Sequence, residues 1–304
     1  MKSVLVTGVT GFIGSRLVST LTEKKYSVST LVRDGKHTDV KTDEITGDLT
    51  DPSLNFQGKN FECVFHLASH TPLEKNFKIL ENVNLNGTKN LFEAINGKTK
   101  SVIYVSGLGV FGDPGDKIID ESYPLNPNTK FVKIRLEAEK YLEKKCQDNG
   151  IDFSVVYFGD VYGSKGWFYD ILVKRLQKKA FRLPGGGKYF KGFVNVDDAV
   201  GSMIAILEKQ AFGESFIVAD STPALFRDFV NFTADRMGIK HPRGVPTFLA
   251  KAVLGSDLVK LLTTSMKVSS KKISEIYSFK YPSYKEGIPG VLSEIRKNDP
   301  SLQK

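Results

Sequence analysis

The stretch VLVTGVTGFIGSRLV, residues 4–18, places three glycines between an apolar, β-rich run and an amphipathic run. Gly8, Gly11 and Gly14 have a spacing that allows a tight turn and a close approach of the backbone to a pyrophosphate. The helix that follows would offer backbone N–H groups and a positive dipole to the phosphates. A glycine triplet alone is weak evidence, but in the first strand–helix unit it predicts a dinucleotide-binding loop.

β-rich runs and helix-period runs keep alternating through the first half of the chain. Such alternation predicts a parallel sheet covered by helices on both faces. We therefore expect an α/β, doubly wound fold of the Rossmann type, with a smaller, mostly helical C-terminal substrate domain. The expected dinucleotide-binding domain is 1–163, to which about 190–220 return, and 164–304 are expected to form mainly the substrate-binding domain.

The second half of the chain shows a looser pattern. PGGG at 184–187 predicts a loop, and FVNVDDAVGSMIAIL predicts a strand followed by a capped helix. The last eighty or so residues are expected to be mostly helical, with breaks at Pro223, Pro242, Pro246, Pro282 and Pro289. The appended domain should pack on the carboxyl edge of the sheet, where doubly wound folds bind their ligands.

Composition narrows the class of protein. The 304 residues, 40% of them hydrophobic, can bury a full core. Cys63 and Cys146 are far apart and lack metal-ligand spacing, so we expect buried thiols, a reducing compartment and no metal site. The chain opens on a strand without a secretory leader, which favours a cytoplasmic location. The apolar stretch VPTFLAKAVLGSDLVKLL is interrupted by Lys251, Asp257 and Lys260, so membrane insertion is not expected.

The net charge of +9 has two interpretations. Lysines are scattered through every segment, which fits a solvated surface, and the same charge would also attract anionic cofactors and substrates. No zinc finger, basic arm or aromatic RNA-binding motif accompanies it, so no nucleic-acid partner is expected.

The end of the second predicted strand indicates the choice of cofactor. NAD sites favour an acidic residue there, which bonds the ribose 2′-hydroxyl, whereas an arginine suits a 2′-phosphate. Val32 occupies the expected acidic position and Arg33 follows it. This favours NADP, with NAD as the alternative, because Asp34 is adjacent and Arg33 can also be a solvated turn residue.

Several segments occur in an order that is typical of one family: TGVTGFIG, GDLTD, VFHLAS, NVNLNGTKNLFEA, VIYVSGLGVFG, GDVYG, FVNVDDAV and SSKKISEIYSFKYPSYKEGI. By these segments the chain resembles the extended short-chain dehydrogenase/reductase family, also called the NAD-dependent epimerase/dehydratase family. The resemblance covers nearly the whole chain, and it rests on the order of the segments more than on any single later one.

The resemblance implies a set of cofactor contacts. Asp48 and Leu49 would hold the adenine end, Leu67 and Ala68 would line the cofactor groove, and Asn84 would lie beside it. The remaining implied contacts are Gly8, Thr10, Gly11, Phe12, Ile13 and Gly14 of the loop, together with Arg33 and Arg135. His66 is expected to be structural, and Asp197 and Asp198 are expected to cap a helix rather than to act as paired catalytic carboxylates.

The expected active site departs from the family. Family members use a tyrosine to move a proton, a lysine one helical turn later that lowers its pKa and holds the nicotinamide ribose, and a serine or threonine that orients the substrate. Those places hold Phe131, Arg135 and Gly107 here. Phenylalanine cannot transfer a proton, whereas arginine keeps its charge and can donate hydrogen bonds to a ribose.

Three residues are candidates to replace the missing acid. Ser106 precedes Gly107, and Tyr157 and Asp160 lie in VVYFGDVYG, which resembles the strand end beside the nicotinamide. Tyr157 stands where many relatives carry arginine. Each has a structural alternative: Ser106 facing the backbone, Tyr157 in the core and Asp160 in a turn.

On the substrate side, Lys191 lies where sugar-nucleotide enzymes of the family often place an arginine against a diphosphate. Trp167, Phe168 and Tyr169 would either wall the pocket or pack in the core. The expected substrate is a small molecule, either a nucleotide sugar or a smaller carbonyl compound. Relatives often dimerise through helices like 131–147, so a homodimer is a candidate assembly. The chain is interpreted as an atypical oxidoreductase or epimerase-like enzyme, with a non-catalytic dinucleotide-binding sensor or subunit as the alternative.

Overall fold

The computed structural model describes residues 2–56, 58–220, 222–299 and 301. Within them the strands are β1 Ser3–Thr7, β2 Ser27–Val32, β3 Asp43–Thr46, β4 Phe61–His66, β5 Thr99–Gly107, β6 Ile118–Ile119, β7 Asp152–Phe158, β8 Asp160–Tyr162, β9 Leu183–Pro184, β10 Phe190–Lys191, β11 Phe193–Asn195, β12 Ser215–Val218, β13 Ala224–Leu225, β14 Gly244–Val245 and β15 Lys267–Val268.

The helices are α1 Phe12–Glu23, α2 Phe77–Leu80, α3 Gly87–Ile95, α4 Lys130–Asp148, α5 Lys174–Gln177, α6 Val196–Lys209, α7 Phe226–Arg236, α8 Thr247–Leu254, α9 Ser256–Thr263, α10 Lys271–Ser274 and α11 Tyr284–Asn298. Two π-helical turns, Glu81–Asn86 and Phe168–Val173, run directly into α3 and α5.

Seven strands form the central sheet in the order β12-β7-β5-β4-β1-β2-β3. Strand β1 pairs in parallel with β2 on one side and with β4 on the other. Val4, Leu5 and Val6 of β1 are completely buried, as expected for a strand that helices cover on both faces. The predicted α/β, doubly wound fold class is confirmed.

The chain divides into two compact units. The first comprises Met1–Val110, Pro127–Tyr157 and Val200–Phe216, and the second comprises Phe111–Asn126, Phe158–Ala199 and Ile217–Lys304. Cys63 and Cys146 are both buried in the first unit. Among the described residues, no helix has the length and apolar character needed to cross a membrane.

An aromatic core organises the second unit. The rings of Phe193 and Phe229 stack with their centroids 3.9 Å apart, and Phe168 packs edge-on against Phe229. Helix α11 adds Ile288 and Leu292 to this core. Pro289 lies inside α11, so the expectation of a break there was wrong. Burial of its apolar neighbours outweighs the one backbone hydrogen bond that proline removes.

Candidate functional site

The glycine loop between β1 and α1 is packed so closely against backbone that only glycine fits at two of its positions. Gly8 has a φ of +74°, which favours glycine, and a Cβ there would lie 2.7 Å from the backbone nitrogen of Ala68. A Cβ on Gly14 would clash with the carbonyl oxygen of Gly8. The backbone N–H of Gly11 donates to that same carbonyl at 3.0 Å and closes the turn. Larger residues would therefore disrupt the loop.

Helix α1 begins at Phe12, with Gly11 at its N-cap position and no acidic residue in its first turn. Glycine has no side chain to cap the helix, so the N–H groups of the first turn are left to an external acceptor. A helix N-terminus of this kind favours an anionic group. The glycine loop and these N–H donors suit the pyrophosphate of a dinucleotide. Thr10 lies in the loop, and Ile13 lies in the first turn of α1.

His66, at the end of β4, is held on both sides of its ring. Its Nδ1 lies 2.8 Å from the Thr7 hydroxyl and its Nε2 lies 2.9 Å from the Thr88 hydroxyl. Burial, and secondarily the charge of Arg135, lowers the pKa of His66 to about 3, so the ring stays neutral. These contacts connect β1, β4 and α3 and fix the segment that carries Leu67 and Ala68 beside the glycine loop.

Asn84 holds the chain just beyond Ala68. Its Oδ1 accepts from the backbone N–H of His70 at 2.8 Å, and its Nδ2 donates to the carbonyl of His70 at 3.2 Å. The side chain is completely buried within the π-helical turn Glu81–Asn86. Asn84 thus positions the wall of the candidate groove through its backbone.

The segment after β3 carries Asp48 and Leu49. Asp48 Oδ1 accepts from both the backbone N–H and the hydroxyl of Thr50, each at 2.8 Å, and forms a local turn. Leu49 is buried, and its carbonyl accepts from the side-chain amide of Asn90 at 2.8 Å. Parallel strands end at one edge of a sheet, so this segment shares an edge with the glycine loop.

Arg33 directly follows β2 and is exposed, whereas Val32 is buried. The carbonyl of Arg33 accepts from the N–H of Lys36, which makes a tight turn at the strand end. Arg33 therefore follows β2 at the same carboxyl edge of the sheet as the glycine loop.

Helix α4 carries Phe131 and Arg135 one turn apart, and Thr129 lies at its N-cap. Thr129 caps the helix through its hydroxyl, Phe131 is half-buried in the first turn, and Arg135 is buried one turn later. The Arg135 guanidinium donates to the carbonyl of Val105 and lies over the Tyr104 ring, 4.9 Å from its centroid. It is therefore anchored against strand β5.

Glu139, one further turn along α4, is a functional candidate that sequence reasoning missed. Its Oε1 accepts a 2.6 Å hydrogen bond from the Tyr157 hydroxyl of β7. Burial raises the pKa of Glu139, and its contacts with Tyr157 and Ser106 and the charge of Arg135 oppose the rise. Continuation of the four-residue spacing from Phe131 and Arg135 to an acidic residue was the available signal.

Tyr157 and Ser106 both lie in this buried cluster. Burial and the adjacent Glu139 raise the pKa of Tyr157 far above its usual range, so the hydroxyl keeps its proton. Ser106 Oγ and Glu139 Oε2 are buried without a hydrogen bond in the described part of the chain, although Ser106 lies close enough to lower the pKa of Glu139. These surroundings favour the core alternative for Tyr157.

Asp160 belongs to the second unit, on β8, which pairs with β11. Burial raises the pKa of Asp160, and the positive charge of Lys191 opposes the rise. Burial lowers the pKa of Lys191, whose ammonium group donates to the carbonyl of Leu261 at 3.2 Å. The two charges thus stabilise one another within this unit.

The three aromatic residues at 167–169 have different environments. Phe168 is completely buried in the aromatic core. Trp167 donates from its indole nitrogen to the Val161 carbonyl at 2.6 Å, and Tyr169 donates from its hydroxyl to Asp299 at 2.6 Å. Phe168 is therefore a core residue rather than part of a pocket wall.

The acidic pair at the start of α6 is structural. Asn195 caps the helix by accepting from the Asp197 N–H at 2.8 Å, so the expectation that the aspartates themselves cap it was wrong. Asp198 is completely buried and accepts from the Tyr277 hydroxyl and from the N–H groups of Lys280 and Tyr281. Its charge holds the segment that precedes α11. In the described part of the chain, no group of three or more His, Cys, Asp and Glu residues is arranged to bind a metal.

The chain is similar to curated proteins and to solved structures. A 3-diazoavenalumate denitrifying reductase from Streptomyces is 27% identical over 302 residues, covering 94% of this chain and 98% of that protein. The structure of a UDP-glucose 4-epimerase from Thermotoga maritima with UDP-glucose matches with a TM-score of 0.84 at 22% identity, covering 97% of this chain and 99% of that one. The human epimerase family protein SDR39U1 with NADPH matches with a TM-score of 0.82 at 19% identity, covering 95% and 98%.

The two structural matches are below 25% identity and show the shared fold. Residues 4–219 match the family described as the NAD dependent epimerase/dehydratase family, and this range holds the glycine loop, the segments that follow it and helix α4. This chain belongs to the NAD dependent epimerase/dehydratase family.

Proposed function

We propose that this protein is a nicotinamide-dependent oxidoreductase or epimerase-like enzyme with an altered proton relay. The observation that carries the proposal is the glycine loop, where Gly8 and Gly14 allow the tight strand-to-helix turn on which a dinucleotide pyrophosphate binds in this type of fold. The cofactor, when bound, supplies hydride exchange with a carbonyl or hydroxyl carbon. Membership of the family supports an enzyme of this class.

Different residues of the first unit bind different parts of the dinucleotide. The loop residues and the N-terminus of α1 bind the pyrophosphate, while Asp48 and Leu49 hold the adenine end. Leu67 and Ala68 line the groove, which Asn84 keeps in shape through its bonds to His70. Arg135 supplies positive charge at the place where the family has lysine.

Arg33 supports a preference for NADP(H). A guanidinium can make charge-assisted hydrogen bonds to a 2′-phosphate, whereas Val32 offers no carboxylate to a 2′-hydroxyl. Solved structures of similar proteins contain NADPH in one case and NAD in others, so the proposed preference rests on Arg33. NAD(H) is the weaker alternative.

The proposed substrate is a small molecule, either a nucleotide sugar or a smaller carbonyl compound. The UDP-glucose in the Thermotoga structure supports the first. Lys191 on β10 is the proposed cation for a substrate diphosphate. We also propose a cytoplasmic location and a homodimer.

The proton relay is the part that differs from the family. Phe131 has no titratable group, and Tyr157 is held by Glu139 within the core. Ser106 and Asp160 remain the candidates to supply the proton; otherwise the reaction takes it from water. A non-catalytic dinucleotide-binding sensor or subunit is the second candidate function, and Phe131 is the observation that favours it.

Cofactor turnover separates the two functions. The purified protein would be titrated with NADPH and NADH, with Gly14→Ala as a non-binding control, and then offered a panel of carbonyl compounds and nucleotide sugars. Substrate-dependent loss of absorbance at the reduced nicotinamide band would support an oxidoreductase, and conversion of a nucleotide sugar to its epimer without net loss of absorbance would support an epimerase. Tight binding without turnover across the panel would support the sensor, and equal, weak binding by the Gly14→Ala variant and the parent would contradict both.

A further inference from the structure

Helix α8 presents its apolar side chains to solvent. Phe248 is 69% exposed, Leu249 50% and Val253 75%. Of the described residues of α8, only Ala250 is buried. A surface helix normally turns its apolar side chains toward the core, so α8 has the opposite orientation.

The exposed apolar side chains of α8 form one continuous face. With about 100° of rotation per residue, this face covers an arc of about 140° and consists of Phe248, Ala252, Leu249 and Val253, here called the α8 face. Ala250 borders the α8 face next to Val253, and Lys251 borders it next to Phe248. Leu262 of the adjoining helix α9 is also exposed.

The surrounding segment is strongly basic. Residues 240–272 contain seven Lys and Arg residues and one Asp, a net charge of +6 within a chain of net charge +9. Lys240, Arg243, Lys251, Lys260 and Lys271 are exposed. Apolar side chains bordered by long basic ones match an anionic lipid surface, because the chains enter the interface while the ammonium groups meet the headgroups.

We propose that α8 and α9 form a peripheral docking surface for anionic membranes. The α8 face enters the headgroup region, and the basic residues of 240–272 bind lipid phosphates and carboxylates. This differs from the expectation from the sequence that the protein has no membrane partner. A lipid surface takes up protruding side chains without a complementary pocket.

A second copy of the chain and a nucleic acid fit this surface less well. Two copies joined through the same face would bring a net charge of +6 against another +6, because a two-fold interface pairs a surface with itself. A nucleic acid would pair with the lysines but leave Leu249 and Val253 without an apolar partner. The positive charge of 240–272 and the apolar α8 face together therefore favour an anionic lipid surface as the binding partner.

Vesicle co-sedimentation of the full chain tests the proposal. At low salt, the protein should sediment with mixed phosphatidylcholine–phosphatidylserine vesicles and much less with phosphatidylcholine alone, and added salt should release it. Phe248→Ser with Val253→Ser should weaken binding to mixed vesicles at least tenfold. Lys251→Glu with Lys260→Glu should do so by about tenfold or more, since each basic residue near such a surface contributes about fivefold.

The chain offers a matched control for the apolar change. Leu73 is 58% exposed but belongs to the first unit, so Leu73→Ser should leave vesicle binding unchanged. As an independent measurement, the emission of Phe248→Trp should shift to shorter wavelength when mixed vesicles are added. Thermal unfolding of each variant establishes that it is folded.

Several results would overturn the proposal. These are failure of the parent protein to bind mixed vesicles at low salt, an equal loss of binding in Leu73→Ser, and no emission shift in Phe248→Trp. Concentration-dependent dimerisation that Phe248→Ser with Val253→Ser abolishes would assign the face to a second copy. Binding of soluble polyglutamate without binding of vesicles would assign it to acidic proteins.

Discussion

The hydroxyl of Tyr157 on β7 donates a 2.6 Å hydrogen bond to Glu139 Oε1 on helix α4, and both side chains are buried. A buried carboxyl group that loses its hydrogen-bond donor keeps the cost of leaving water without the compensating contact. This pair should therefore stabilise the first unit.

Tyr157→Phe should lower the free energy of unfolding by about 1–3 kcal/mol, because Glu139 loses its donor. Tyr157→Phe combined with Glu139→Met should recover part of this loss, since both partners of the bond are then removed. Chemical denaturation measures both changes.

Tyr141→Phe is the matched control, because the Tyr141 hydroxyl reaches Glu93 at 3.5 Å on the exposed surface, and it should change stability by less than about 0.5 kcal/mol. Equal effects of Tyr157→Phe and Tyr141→Phe would contradict the prediction.

The Tyr157–Glu139 pair is an example of a contact that the sequence could not predict, in contrast to the sheet and the glycine loop. Alternating strand and helix patterns determine the sheet, and the glycine spacing determines the loop, because both features are local in the chain. The contact between Tyr157 and Glu139 joins separate elements and depends on which face of α4 meets the sheet. The capping role of Asn195 was missed because Asp197 and Asp198 are equally good caps by residue type. Pro289 was misjudged because burial of its neighbours is not a local property.

Asp220 should make stability depend on pH. Its Oδ2 accepts from the N–H of Tyr284 at 2.6 Å, and burial raises its pKa to about 8. The folded protein therefore keeps a proton that the unfolded chain releases near pH 4. Above that pH the unfolded state binds fewer protons than the folded state, so the free energy of unfolding falls as pH rises from about 4 to about 8.

Asp220→Asn should flatten this pH dependence, because the amide cannot ionise. A difference of one pKa unit corresponds to about 1.4 kcal/mol, so the parent protein should lose several kcal/mol across the range. Chemical denaturation at a series of pH values measures this change in the free energy of unfolding. A residual slope from Glu139 and Asp160, whose pKa values burial also raises, is expected in the variant. Identical slopes in parent and variant would count against the assignment to Asp220.

Arg33→Ala should weaken binding of NADP(H) while leaving NAD(H) nearly unchanged. Hydrogen bonds to charged groups contribute about 1.5–3 kcal/mol, or roughly ten- to a hundred-fold in affinity. Lys36→Ala removes the same charge from the same turn and serves as the control for a general electrostatic effect. Fluorescence titration with NADPH and with NADH measures how each of the two variants differs from the parent in affinity for each cofactor. If the parent binds both cofactors equally and Arg33→Ala changes neither, the NADP preference is wrong.

Arg135→Ala should weaken dinucleotide binding, whereas Phe131→Ala should leave it largely intact. The guanidinium now donates to the Val105 carbonyl and covers Tyr104, so Arg135→Ala should also lower thermal stability. Binding is therefore measured well below the unfolding temperature of the variant. A cofactor-bound structure in which Arg135 points away from the ribose, with a tyrosine from elsewhere in the usual place, would show that the alignment of α4 is wrong.

Phe131→Tyr with Arg135→Lys should restore the proton relay of the family, because the two positions are one turn apart on the same face of α4. The tyrosine would carry a transferable proton, and the lysine would lower its pKa through its charge. General acid–base groups contribute about 10²- to 10⁴-fold in rate, so turnover of an accepted substrate should rise by that order. Phe131→Tyr alone should give a smaller gain, because Arg135 remains held by Val105.

The pH profile of turnover distinguishes a new relay from a reshaped pocket, since only the relay adds an ionisation that the parent lacks. Unchanged turnover with full cofactor binding in the double variant would mean that the protein moves its proton through a different group, or that it binds the dinucleotide without reacting.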